Sequence, residues 1–190
     1  MTLARKLGTP EHHSLLLRKA RATGLCNVAD LIGLAIARGC HHYQGGTEPV
    51  PIAPPSRAAF SDEELAIALL SPCLPYNPRA VRVGAQMLGS VDNRPQRLAL
   101  LARRERTENV VRHIAEAGQH TESQEVFWQE LLTALSPASS SRSVLPAGVL
   151  PHPSRFRIET GLTNPSDPVF RGGPRMIWLR PSPPMLAEPA

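Results

Sequence analysis

Helix punctuation constrains this chain more than any other feature. Capping residues, first-position prolines and terminal glycines bracket apolar stripes of 3.6-residue period, and signals in such register leave room for little besides a mainly α-helical fold. Thr9 stands where its hydroxyl can cap a helix opened by Pro10, with Glu11 in the first turn and Gly24 stopping it after about Ala22. Asn27 caps a second helix whose apolar residues Val28, Leu31, Ile32, Ala35 and Ile36 share one face. Arg38 suits its negative end and Gly39 its left-handed stop. Residues 1–43 therefore read as an N-terminal helical hairpin. Residues 44–57 (QGGTEPVPIAPPSR) read as a Pro/Gly-rich linker.

Residues 58–136 read as a helical core domain. Ser61 and Glu64 match a capping box, and the helix they open carries Leu65, Ile67, Ala68, Leu69 and Leu70 before Pro72 and Pro75 close it. Apolar residues run nearly all the way round this helix, which predicts burial between several neighbours. Asn77 caps the next helix, Pro78 opens it and Gly89 stops it, with Val81, Gly84, Ala85 and Leu88 inward. Pro95 opens another, carrying Leu98, Leu101 and Ala102. Either Thr107 caps a separate helix after it, or the two run on to Ala117, with Gly118 as the stop. Thr121 and Gln124 match a second capping box, before a stripe of Phe127, Trp128, Leu131, Leu132 and Leu135. The expected core is Leu65, Leu69, Val81, Leu101, Val111, Ile114, Phe127, Leu131 and Leu135. A ragged internal echo pairs Leu65–Ala66 with Leu98–Ala99 and Val81–Arg82 with Val111–Arg112. Helical pairs of HEAT or TPR type repeat at such offsets, and a plain helical bundle explains the pattern as well.

Composition matters at the C-terminal end. Eleven of the 20 prolines follow Ser136, so residues 137–154 read as a Pro/Ser-rich linker. Beyond it, Arg155–Thr160 alternates and Arg175–Arg180 is a second strand candidate, with Asn164–Pro165, Asp167–Pro168 and Gly172–Gly173 between them. A small C-terminal β-hairpin is expected over 155–181, docked on the helices through Trp178, because two strands alone are marginal. Residues 182–190 read as a flexible tail.

No catalytic motif is present: there is no G-x-S-x-G, no G-x-x-x-x-G-K-[ST] and no H-E-x-x-H. Asp62, Glu63 and Glu64 lie in a first turn, where the helix dipole explains acidic residues. Arg103, Arg104 and Arg106 beside Glu105 and Glu108 resemble a solvated, ion-paired face. Cys26, Cys40, His41 and His42, with His12 or His13, are the candidate metal ligands. They lack the paired spacing that zinc sites show, so no metal and no cofactor is expected.

The net charge of +5 is uneven, with both ends basic and residues 58–136 carrying 8 basic against 10 acidic side chains. The arginine-rich, lysine-poor mixture with Ala and Pro is also what a GC-rich coding sequence yields. Helix-turn-helix recognition across residues 108–135 is disfavoured, since Glu122, Glu125 and Glu130 would face phosphates. The better nucleic-acid candidate is the C-terminal hairpin, where Arg155, Arg157, Arg171, Arg175 and Arg180 interleave with Phe156, Phe170 and Trp178. Three sparse cysteines and no signal-like N-terminal stretch lead to an expected cytoplasmic setting, away from membranes. Two function classes follow: a non-enzymatic protein-interaction or adaptor module, with a protein as partner, and a nucleic-acid-binding accessory protein using the arginine-rich hairpin. Pro181-Ser182-Pro183-Pro184 adds a short polyproline candidate to the first.

Overall fold

A computed structural model describes residues 14–40, 54–122, 125–135, 178, 180 and 181. These residues are mainly helical. Seven helices occur among them: α1 (Leu15–Ala22), α2 (Val28–Ala37), α3 (Asp62–Leu69), α4 (Pro78–Leu88), α5 (Pro95–Arg104), α6 (Glu108–Thr121) and α7 (Val126–Ala134). None is long and apolar enough to cross a membrane.

Local chemistry accounts for most helix boundaries. Asn27 and Asp30 close a capping box on α2, and Ser61 and Glu64 close one on α3. The Asn77 carboxamide accepts from the backbone of Arg79 and Ala80 beside Pro78 at the first position of α4. Gly24 and Gly39, at φ +90° and +109°, end α1 and α2 with paired bonds back to the last turn. In each, the N–H three residues past the helix donates to the carbonyl five residues back, which belongs to the third-last helical residue: Leu25 to Ala20, and Cys40 to Ala35.

Several expected boundaries are corrected. The helix expected from Pro10 begins at Leu15, because Ser14 is extended and its hydroxyl accepts from Leu17 N–H at 3.0 Å; Thr9 and Pro10 lie outside the described residues. Between α5 and α6 the chain breaks through the same motif as at Gly24, with Arg106 at φ 56° in the glycine position and Thr107 N–H on the Ala102 carbonyl. Gly118 does not stop a helix, since α6 continues through it to Thr121. The Thr121 hydroxyl donates to the Ala117 carbonyl instead of capping the next helix, and α7 starts after Glu125 with no side-chain cap. The expected hairpin lies outside the described residues apart from Trp178, Arg180 and Pro181.

Helix α3 is the centre of the packing. It lies against α1, α2, α4 and α5, and all eight of its residues are buried. Apolar character on every side is thereby explained, as is the close approach at Gly84, where a Cβ would stand 2.9 Å from the Leu70 side chain. Helix α7 bridges α5 and α6. Residues of α1 and α2 belong to the same apolar cluster as the rest, so residues 14–40 share one core with the central helices. Of the expected core, Leu65, Leu69, Val81, Val111, Ile114, Leu131 and Leu135 are buried, while Leu101 and Phe127 are half-buried at its edge.

Candidate functional site

The three acidic residues opening α3 are buried at 7–8% exposure, and each meets a cation. Asp62 pairs with Arg38 at 2.8 Å and with Arg57 at 3.3 Å, Glu63 with Arg97 at 3.8 Å, and Glu64 with Lys19 at 2.6 Å. Arg38 also donates to the carbonyls of Pro55 (3.0 Å) and Phe60 (2.7 Å), joining the end of α2 to the loop before α3. Burial pulls its guanidinium below the usual arginine value, against the opposing pull of Asp62. Glu105, at 1% exposure, accepts from Leu16 N–H at 3.1 Å and so ties the end of α5 to the start of α1. These groups hold helices together, and their ligands are one another.

A different arrangement occurs where α4, α6 and α7 meet the segment at 178–181. Trp178 is 1% exposed and its indole N–H donates to the Ala85 carbonyl of α4 at 3.1 Å. Its ring meets Trp128 of α7 edge-on, with centroids 4.9 Å apart. Glu122, just past α6, gathers the remaining polar groups. Its Oε1 accepts from Trp178 N–H at 2.7 Å and Arg180 Nη1 at 2.9 Å, while its Oε2 accepts from Arg180 Nη2 and Trp128 Nε1, both at 2.9 Å. The result is a two-pronged fork on arginine that also fixes both tryptophans. Gln86 Nε2 donates to the Arg180 carbonyl at 3.3 Å.

Two glycines make the space. A Cβ on Gly89 would lie 2.7 Å from Trp178 Cδ1, and one on Gly118 would lie 2.4 Å from Trp128 Cδ2 and Cε2. The glycines that read as helix stops are therefore the floor of a tryptophan pocket. Glu122 likewise read as a surface carboxylate repelling phosphate, yet its side chain is 7% exposed and fully engaged.

The expected nucleic-acid residues divide accordingly. Trp178 offers no stacking face at 1% exposure, and Arg180 is neutralised by Glu122, with Glu125 4.0 Å away. Arg155, Arg157, Arg171 and Arg175 lie outside the described residues. Of the candidate metal ligands, Cys26 is exposed and Cys40 buried, while His12, His13, His41 and His42 lie outside. Among the described residues no three His, Cys, Asp or Glu side chains converge as a metal site would require. A shallow concavity of about 460 Å³ between α5 and α7 is lined, among the described residues, by Gln96, Val126, Gln129, Glu130, Thr133 and Ala134, of which Glu130 alone is ionisable.

No protein-family model matches the chain, and no curated protein or solved structure is found to be similar to it.

Proposed function

We propose that this protein is a non-enzymatic, cytoplasmic protein-interaction or adaptor module whose helices form a bundle. The observation that supports the reading is the junction of α4, α6 and α7, which holds the distant residues Trp178 and Arg180 by a buried indole, a carboxylate fork and a side-chain amide. Such groups recognise a polypeptide: alternate side chains fill pockets while the backbone is held by fixed donors and acceptors. Packing of α3 on four other helices favours a bundle over stacked HEAT- or TPR-like pairs, in which each unit touches only its neighbours. The two-strand form of residues 155–181, and their division from the core by a linker at 137–154, belong to the same proposal.

Salt-dependent titration separates this reading from nucleic-acid binding. Single-stranded DNA and RNA oligonucleotides are added at low salt, where each neutralised phosphate contributes a slope of about −0.7 in the log–log plot. The expected result is weak binding without sequence preference, unaffected by Arg155→Ala, Arg157→Ala and Arg175→Ala combined. Tight binding that the triple change abolishes, with circular dichroism unaltered, would replace the adaptor reading with the nucleic-acid one.

A further inference from the structure

Resting on the adaptor reading, we infer that the corner where the end of α5 meets the start of α1 docks an acidic segment of a partner protein. The sequence sets Glu105 between Arg104 and Arg106, which reads as an ion-paired surface. The fold withdraws that carboxylate. Glu105 is 1% exposed, its Oε1 accepts from Leu16 N–H at 3.1 Å, and its Oε2 has no hydrogen-bond partner. Arg104 and Arg106 are both exposed and pair with no acid among the described residues, whereas Arg103 beside them meets Glu108 at 3.5 Å. The bond to Leu16 also brings α1 alongside. Arg18, two residues on, is exposed without an acidic partner among the described residues, and Leu15 is 40% exposed. Leu15 and Arg18 are three apart on α1 and share a face. Leu100 and Arg104, four apart on α5, share one likewise, and Leu100 is 62% exposed. Each helix thus presents an exposed leucine one turn from an unpaired arginine.

The backbone of Arg106 shows that its side chain is kept at a cost. The same turn follows α1, α2 and α5, and its left-handed position holds Gly24, Gly39 and, at φ 56°, Arg106. That conformation is penalised in a residue with a Cβ and free in glycine. Strain of this kind concentrates where side chains bind ligands. The guanidinium of Arg106 is exposed and has no partner among the described residues, so it does nothing for the fold in return. Three cations without counter-charge beside two exposed leucines are complementary to a segment of mixed acidic and apolar residues. Carboxylates take arginine through two parallel N–H···O bonds, while the leucines cover apolar side chains. A phosphate chain would leave both leucines without a counterpart. A bilayer would gain only one leucine from each helix, because the other leucines of α1 and α5 pack in or against the core.

The test uses the full chain and a fluorescein-labelled peptide of repeated Glu-Glu-Leu, with a control in which glutamine replaces every glutamate. At low salt the glutamate peptide is expected to bind about tenfold more tightly than the control. Arg104→Gln combined with Arg106→Gly should remove most of that preference, and Leu100→Gln should weaken binding several-fold. These sites are exposed, so helical circular dichroism should not change. Arg106→Gly alone should weaken peptide binding yet raise Tm by about 2 °C, a combination that an arginine with a merely structural role would not give. Equal affinity for the two peptides, or a preference unchanged in the double variant, overturns the docking surface. Binding instead to phosphatidylserine vesicles or to oligonucleotides, abolished by the double variant, overturns it in favour of a membrane or a nucleic acid. A lower Tm for Arg106→Gly overturns the assignment of that residue, and an unaltered affinity for Leu100→Gln that of the leucine. Peptide results leave the adaptor reading to its own test, in which Arg155, Arg157 and Arg175 are changed and this corner is intact.

Discussion

Placing a methyl group on Gly118 should destabilise the fold, although the helix around it would gain. Within α6, replacing glycine by alanine favours the helical backbone by about 1 kcal/mol. The new Cβ, however, would stand 2.4 Å from Cδ2 and Cε2 of Trp128, and 2.8 Å from Cε3. Those atoms form the rigid middle of the indole, so no side-chain end can swing aside. Trp128 itself has little freedom to retreat: it is wholly buried, its Nε1 is bonded to Glu122, and Trp178 abuts it. Overpacking of this kind costs about 1–3 kcal/mol and sometimes more. A weakened Trp128–Glu122 bond adds about 1 kcal/mol. The net expectation for Gly118→Ala is a loss of about 1–3 kcal/mol, measured by urea denaturation followed by circular dichroism. A double-mutant cycle with Trp128→Leu isolates the cause, since in that background Gly118→Ala should turn neutral or stabilising. A Gly118→Ala chain as stable as wild type would refute the assigned contact.

Other consequences can be measured independently. Arg38→Ala should cost no more than about 3–5 kcal/mol in the same denaturation experiment, because it strands two carbonyls and leaves the buried Asp62 only the largely exposed Arg57 as a partner. Arg38→Lys should recover only part of this, as an ammonium lacks the planar fork. Glu122→Gln should cost about 2 kcal/mol, discounted for the partial exposure of Arg180, and should shift tryptophan emission to the red as Trp178 loosens. Leu131→Ala should cost about 2–5 kcal/mol, and Phe127→Ala less, because only Leu131 is fully buried. Burial pushes the Cys40 thiol far above its ordinary value, so it stays protonated and unreactive at neutral pH. Mass spectrometry after brief alkylation should find Cys26 modified and Cys40 modified only in denaturant.

Most helix starts were legible because their causes are local. Asn27, Ser61 and Asn77 cap helices through bonds spanning two or three residues, and the prolines at 78 and 95 act through their own φ. Such effects are complete within a few neighbours, so they can be read without a fold. The sequence leaves the break between α5 and α6 open for the opposite reason. Arginine stands in the left-handed position usually held by glycine, and nothing in its side chain announces that conformation. Thr121 and Gln124 misled because a hydroxyl near a helix end can bond forward to cap or backward to a carbonyl, and here it bonds backward.

The sequence by itself determined the helical class, the ends governed by local caps and the apolar stripes that became the core. Only the tertiary structure decided what the polar residues and glycines were for. Asp62, Glu63 and Glu64 were explained by a helix dipole until α1, α2 and α5 brought Lys19, Arg38 and Arg97 against them. Glu122 and Gly118 took their roles from Trp128 and from Trp178, 56 residues beyond Glu122 in the chain. Charge pairing and steric exclusion depend on distance in space and fall off within a few ångströms. A one-dimensional pattern records which groups are available, while the folded chain decides which of them meet.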